Sequence, residues 1–438
     1  MEHSVVSLTL SVAVFLLVYF VITVEWVNKA VAALLGVMIL VVVGVADERH
    51  AISFVDFETI LLLLGMMIIV AVLRRSGVFS LLTVRIAEMT RGNPLKILVL
   101  FSLVTAVLSA FLDNVTTVLI IVPIVVELTV GLGLDPKLFV ISQAVISNIG
   151  GTSTLIGDPP NVIIGSAVGL TFNEFAIYLI VPVVASLAVA LFMMWIRNRS
   201  RFATIHHDLA KLFAVELLLE KIRFQFLQTP LDLRLLGRGA ACLGLAIVLF
   251  VTQGITGISP GVAAILSAMV LLALTRVRVE SVMEDVEWST LLFFAGLFVL
   301  VGILEEEGVI EWIAHNVFLS LGDNPYVMVL TVLWVSGIAS GFLDNIPFTI
   351  TMVPVVEMML EAAPVPHNLL WWALALGACF GGNLTLVGAS ANIVAVGSAR
   401  QAGVDISFLE FFRVSALITI ATLAVSSIYL SVFLWLTL

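Results

Sequence analysis

Asp113-Asn114 and Asp344-Asn345 each lie inside a long apolar run, within the same tetrapeptide FLDN, at residues 111–114 and 342–345. A charged side chain at membrane depth costs at least about 2.5 kcal/mol, so such residues are candidates for function first. In SAFLDNVTTVLIIVPIVVEL the first pair divides the run into halves too short to cross a bilayer singly. That predicts two helices meeting at a tip, with Asp-Asn where the second helix begins. An aspartate there caps free N–H groups, but Ser or Asn would cap without burying a charge, so capping and ligand binding are both open to it. Thr116 and Thr117 add hydroxyls beyond the first tip, whereas the second tip continues with Ile346, Pro347, Phe348 and Thr349.

A second polar element follows each tip. SNIGGTSTLIGDPPN, residues 147–161, combines Gly150, Gly151 and Gly157 with Pro159-Pro160, and no helix continues unbroken through that composition. Unwound backbone at membrane depth survives only where protein or a water-filled cavity satisfies its amides. Asn148, Thr152, Ser153, Thr154 and Asn161 are expected to line the break, with Asp158 beside it. The later segment GGNLTLVGASAN, residues 381–392, supplies Gly381, Gly382, Asn383, Thr385, Ser390 and Asn392, with Ala389 in place of the aspartate. Turns outside the bilayer would be the plainer reading, and the apolar flanks on both sides oppose it.

The elements that must position these residues are membrane helices. The chain is 61% hydrophobic and only 11% charged, with a mean hydropathy of +1.20, far from the roughly 25% charged residues of soluble domains. Apolar runs of spanning length lie at about 5–24, 27–46, 57–73, 175–196, 236–254, 260–275, 289–304 and 414–437. The first lacks a basic leading segment and a small-residue cleavage site, so it reads as a retained span. A net charge of −10 with acids mainly in loops shows no basic patch for nucleic acid. Cys242 and Cys379 give neither a disulfide framework nor a structural metal cluster, and read as small packing residues.

An internal repeat organises the whole. Shifting the sequence by 231 aligns VAALLGVMIL (31–40) with VAAILSAMVL (262–271), LRRSGVF (73–79) with LEEEGVI (304–310), and both polar elements with their counterparts. The expected fold is all-α and polytopic: two inverted-topology repeats, each of about five transmembrane helices plus a re-entrant helical hairpin and a broken helix. The first repeat spans 1–199, with its hairpin at about 95–130 and broken helix at about 138–168. The second spans 236–438, with a hairpin at about 326–361 and a broken helix at about 368–399. Residues 200–235 read as a cytoplasmic amphipathic linker. With both termini outside, nineteen of the twenty basic residues fall on the cytoplasmic side and only Arg49 does not. Inverted repeats of this kind recur in secondary transporters, with the solute site at the midplane.

The candidate site holds two or three aspartates and, read from sequence, no intramembrane Lys, Arg or His. A neutral polyhydroxyl solute or a small cation suits it better than a di- or trianion. Without GxxxxGK[ST], an ion gradient rather than ATP is the energy source. No nucleophile–base pair or HExxH is present for an enzyme, and inverted halves favour alternating access over a channel. FLDNVTTVLIIVP followed by NIGGTSTLIGDPPNVII resembles the ion transporter superfamily, in the branch of bacterial arsenite permeases, NhaD-type sodium/proton antiporters and the P protein. The resemblance covers nearly the whole chain. It implies elevator movement of hairpins and broken helices against a scaffold, at a site of Asp113, Asn114, Asp344, Asn345 and Gly150 to Asn161. It points to arsenite or antimonite export coupled to proton entry in the cell (plasma or inner) membrane. Sodium/proton exchange, with sodium at Asp113 and Asp344, is the alternative, and another small anion or solute the third. No cofactor is expected. The lipid bilayer, a homodimer and a cytoplasmic ATPase or metallochaperone are the partners it brings into consideration.

Overall fold

A computed structural model describes residues 5–24, 26–202, 217, 220, 223–224, 231–318, 324–362 and 365–437. The amphipathic linker expected at 200–235 falls largely outside the described residues. The molecule is 83% helix with no strand among them. Seven of the described helices are long and apolar enough to cross a membrane: Phe57–Arg75, Asn114–Gly131, Phe172–Arg199, Leu233–Val251, Trp288–Glu306, Pro325–Phe342 and Phe408–Thr437. Lys29–Val42 and Pro260–Thr275 are shorter apolar helices beside them.

Each polar sequence element does what its composition requires. The first hairpin pairs Pro94–Ser109 with Asn114–Gly131, the second Pro325–Phe342 with Asn345–Ala362. Proline at the first helical position behind Asn93 and Asn324 starts the leading limbs cleanly, each asparagine accepting N–H bonds from the first turn. The broken helices are Pro136–Gly151 with Pro159–Val168, and Leu369–Gly381 with Ser390–Gln401. One expectation needs correction. The sequence makes both limbs of the first hairpin too short to cross, yet Asn114–Gly131 reaches 18 residues, because the helix runs on through Pro123.

Two packing systems emerge. Lys29–Val42 lies along Trp288–Glu306, and Pro260–Thr275 along Phe57–Arg75, so each pair joins the first half of the chain to the second. A Cβ on Gly65 would meet Ala264 backbone at 2.5 Å, and one on Gly296 would meet the Ala33 Cβ at 2.9 Å. These are the same contact at the 231-residue offset. Such close approach of backbones is how helices adhere where lipid removes the hydrophobic incentive. This interlocked set forms a scaffold.

The hairpins and broken helices form the second system, in which each broken helix lies against the leading limb of its own hairpin. A Cβ on Gly150 would sit 2.4 Å from the Ala106 carbonyl oxygen, and one on Gly381 2.3 Å from the Gly337 carbonyl oxygen. The pieces also cross between halves, since Ser390–Gln401 packs on Asn114–Gly131 and Pro159–Val168 on Asn345–Ala362.

Gly150→Ala is therefore expected to lower the apparent unfolding midpoint of the detergent-purified protein, by the 1–3 kcal/mol or so that overpacking costs. Gly397→Ala, where an added Cβ meets nothing within 4 Å, should leave the midpoint unchanged in the same thermal melt.

Candidate functional site

The breaks hold because short polar side chains turn back onto their own backbone. Thr152 Oγ1 donates to the Asn148 carbonyl at 2.7 Å, and Ser153 Oγ to that of Gly150 at 2.6 Å. Thr154 Oγ1 reaches the Ala110 carbonyl in the hairpin tip at 2.5 Å, and Thr385 Oγ1 repeats this on Gly341 at 2.5 Å. Asn161 Nδ2 donates to the carbonyls of Thr152 and Thr154, and Asn392 Nδ2 to those of Gly382 and Thr385. Gly150, Gly151, Gly381 and Gly382 allow the close approaches around them. These candidates from sequence act here as braces, together with Thr117, whose hydroxyl is taken by the Asp113 carbonyl at 3.0 Å. Thr116 contributes its backbone N–H to the Asp113 carboxylate at 2.8 Å.

Inside that brace a smaller set of side chains converges. Asp158 opens the second part of the first broken helix but does not cap it. Its Oδ1 instead accepts from Asn114 Nδ2 at 3.3 Å and from Asn345 Nδ2 at 3.4 Å. One carboxylate oxygen thus holds both hairpin tips. Asp158 is fully buried, and Oδ2 has no hydrogen-bonding N–H or O–H among the described residues. Asn114 Nδ2 also donates to Asn148 Oδ1 at 2.9 Å, while Asn148 Nδ2 donates to Asn383 Oδ1 at 2.9 Å and Asn392 Oδ1 at 3.1 Å. Asn383 Nδ2 is buried and likewise unpartnered.

The 231-residue offset places Cys379 opposite Asn148, and the structure shows the equivalence. Asn148 crosses to Asn392 in the second half, and Cys379 Sγ crosses to Asn161 Oδ1 in the first, at 3.7 Å. Asp158 has no such mate, because Ala389 stands at the matching position. The repeat therefore encloses one carboxylate rather than two.

Above this core a cavity of about 260 Å³ opens between hairpin tips and scaffold, lined among others by Asp113, Asn114, Asn345, Ser390, Lys29 and Glu287. Asp113 does cap its helix; Asp344 does so as well, taking the Ile346 N–H at 3.2 Å. The sequence reading placed no basic side chain here, and the structure corrects it. Lys29 Nζ lies 2.5 Å from Asp344 Oδ2 and 3.0 Å from Ser390 Oγ. Ser390 Oγ donates to the same carboxylate oxygen at 3.2 Å. At the head of an apolar run, Lys29 looked like a marker of membrane sidedness only. Glu287 was missed too, and its signal was faint: it precedes a span and matches Asp56 at the 231-residue offset.

Asn161→Ala strips two unwound carbonyls of their donor and should lower the melting midpoint, by about 1–3 kcal/mol per carbonyl left unpaired. Asn392→Ala should do the same through its own two carbonyls in the same thermal assay.

Comparison with known proteins is consistent with this architecture. Residues 17–377 match the family model described as CitMHS, citrate transporter. An uncharacterized transporter of Mycobacterium tuberculosis is 40% identical over 427 residues, covering 96% of this chain and 97% of that one. The human P protein is 35% identical over 501 residues, covering 97% of this chain and 60% of the P protein. Among solved structures, the YdaH transporter of Alcanivorax borkumensis shares the fold at a TM-score of 0.54 and 12% identity, over 88% of this chain and 86% of that one.

Proposed function

The chain belongs to the CitMHS citrate transporter family, and from that premise we propose that it is a secondary active transporter that exports arsenite or antimonite against proton entry. The observation that carries this reading is Asp158: a buried carboxylate gripped by both hairpin tips, with no N–H or O–H on its second oxygen among the described residues. A polar atom left so in a membrane interior costs several kcal/mol or so unless something mobile fills it. A proton or a solute hydroxyl does this.

Charge balance supports a small solute without much negative charge. Lys29 and Asp344 neutralise one another, leaving Asp113 and Glu287 on the cavity and Asp158 buried against the tip asparagines. Citrate, which the family description names, would bring up to three further negative charges to one ammonium already engaged. Arsenous acid is neutral near pH 7 and offers three hydroxyls to amides and carboxylates. Loading from the cavity, then movement of hairpins and broken helices past the scaffold, would expose the site alternately, as an elevator does. In this reading the termini lie outside and the linker is cytoplasmic, in the cell membrane. The carboxylate excess favours a second reading, sodium/proton exchange at Asp113 and Asp158.

Proteoliposomes offered arsenite and sodium separately under an imposed proton gradient distinguish the two. The expected result is proton movement with arsenite, lost in Asp158→Asn by about a hundredfold or more if the carboxylate carries the proton. Proton movement with sodium and none with arsenite transfers the assignment to the second reading. Undiminished coupling in Asp158→Asn contradicts both.

A further inference from the structure

Lys29 and Asp344 belong to different parts of the machine. Lys29 starts a scaffold helix that packs on Trp288–Glu306 and on Val5–Thr23, and Asn28 just before it is tied to the scaffold by Ser289, whose hydroxyl donates to Asn28 Oδ1 at 2.8 Å. Asp344 sits on the second hairpin tip, and Ser390 begins the second part of the second broken helix. One ammonium thus joins the scaffold to both elements of the second half that would have to move. The carboxylate is 4% exposed and the lysine side chain 26%, so the pair is closed on the hairpin side and open toward the cavity. Arg75–Asp285 and His50–Glu306 join segments of the scaffold side, while Lys137–Glu410 ties the first broken helix to Phe408–Thr437.

Resting on the proton-coupled reading above, we infer that Lys29 is the tethered counter-cation of Asp344, competing with the transported proton for one carboxylate. When a proton binds Asp344 Oδ2, the carboxylate becomes a carboxylic acid, the N–H···O⁻ contact loses its charge, and Lys29 remains an ammonium facing the cavity. The scaffold then releases the hairpin tip. Loss of the proton restores the ion pair and the latch. A buried pair suits this role because its desolvation penalty offsets most of its Coulombic gain, so that a single competing proton shifts the balance. Tyr19 from Val5–Thr23 and Asp158 from the first broken helix also face Asp344, and Glu287 and Asp113 share the cavity with Lys29. These groups stay the same in every variant below.

The test reads Asp344 directly, without solute or gradient. A hydrophobic carbodiimide labels protonated buried carboxyls, and the labelled peptide is quantified by mass spectrometry in the purified full chain across a pH series. Lys29→Gln should raise the extent of Asp344 labelling several-fold or so at the same pH, the effect of removing an adjacent opposite charge, while Lys29→Arg keeps the original extent. Unchanged labelling in Lys29→Gln across the series overturns the inference. If Lys29→Gln does not fold, Lys29→Gln/Asp344→Asn should, because the stranded charge is gone; failure of that rescue also overturns it. Arsenite flux is not read in this assay, so a failed solute assignment and a failed latch remain distinct results.

Discussion

A helix interrupted inside hydrocarbon must return every freed N–H and C=O to the protein, and that requirement shapes the centre of this molecule. Threonine, serine and asparagine side chains within a few residues of each break collect its carbonyls, and glycines at Gly150, Gly151, Gly381 and Gly382 let the neighbouring backbone come close enough to share them. Once that is done, the asparagines and aspartates not used as braces are held in place for something else. Each break is braced from its own half, and the two halves interlock through side chains instead: Asn148 donates across the centre to Asn383 and Asn392, and Cys379 meets Asn161.

Duplication makes the frame, and divergence makes the site. The offset contacts Gly65–Ala264 and Gly296–Ala33, Thr154–Ala110 and Thr385–Gly341, occur in both halves. Asp158 against Ala389 and Asn148 against Cys379 do not match. If aspartate stood at both positions, two carboxylates would face one buried space, and their repulsion would have to be met by further cations. With alanine in one copy, a single carboxylate takes an amide from each tip, and its other oxygen meets no N–H or O–H among the described residues.

Most of this frame was legible because the polar interruptions are so unlike their surroundings. Glycine and proline in SNIGGTSTLIGDPPN cannot continue a helix, and Asp-Asn within FLDN cannot be ordinary lipid-facing surface. Three things were hidden. The asparagines that brace carbonyls and those that link the two halves have the same chemistry, so sequence could not separate Asn161 from Asn148; only the direction of each amide does. Lys29 lay some 315 positions from the carboxylate it meets, in a helix whose pattern is apolar, and nothing local announces that it crosses to a hairpin. Limb length was hidden too: the Asp-Asn pair marks where the second limb of the first hairpin begins, but that limb continues through Pro123 to Gly131, because a helix packed on its neighbours tolerates the missing N–H.

The account stands on the two hairpin tips meeting at one carboxylate. With Cys242 and Cys379 replaced by serine, Asn114→Cys and Asn345→Cys in one chain should be joined by a short bifunctional thiol reagent in native membranes, as an intramolecular link identified by mass spectrometry. Each asparagine nitrogen lies within 3.4 Å of Asp158 Oδ1, so the account predicts a link that forms readily within single chains. Thiols that react separately with bulky water-soluble reagents from opposite sides of the membrane, and never with each other, would contradict it.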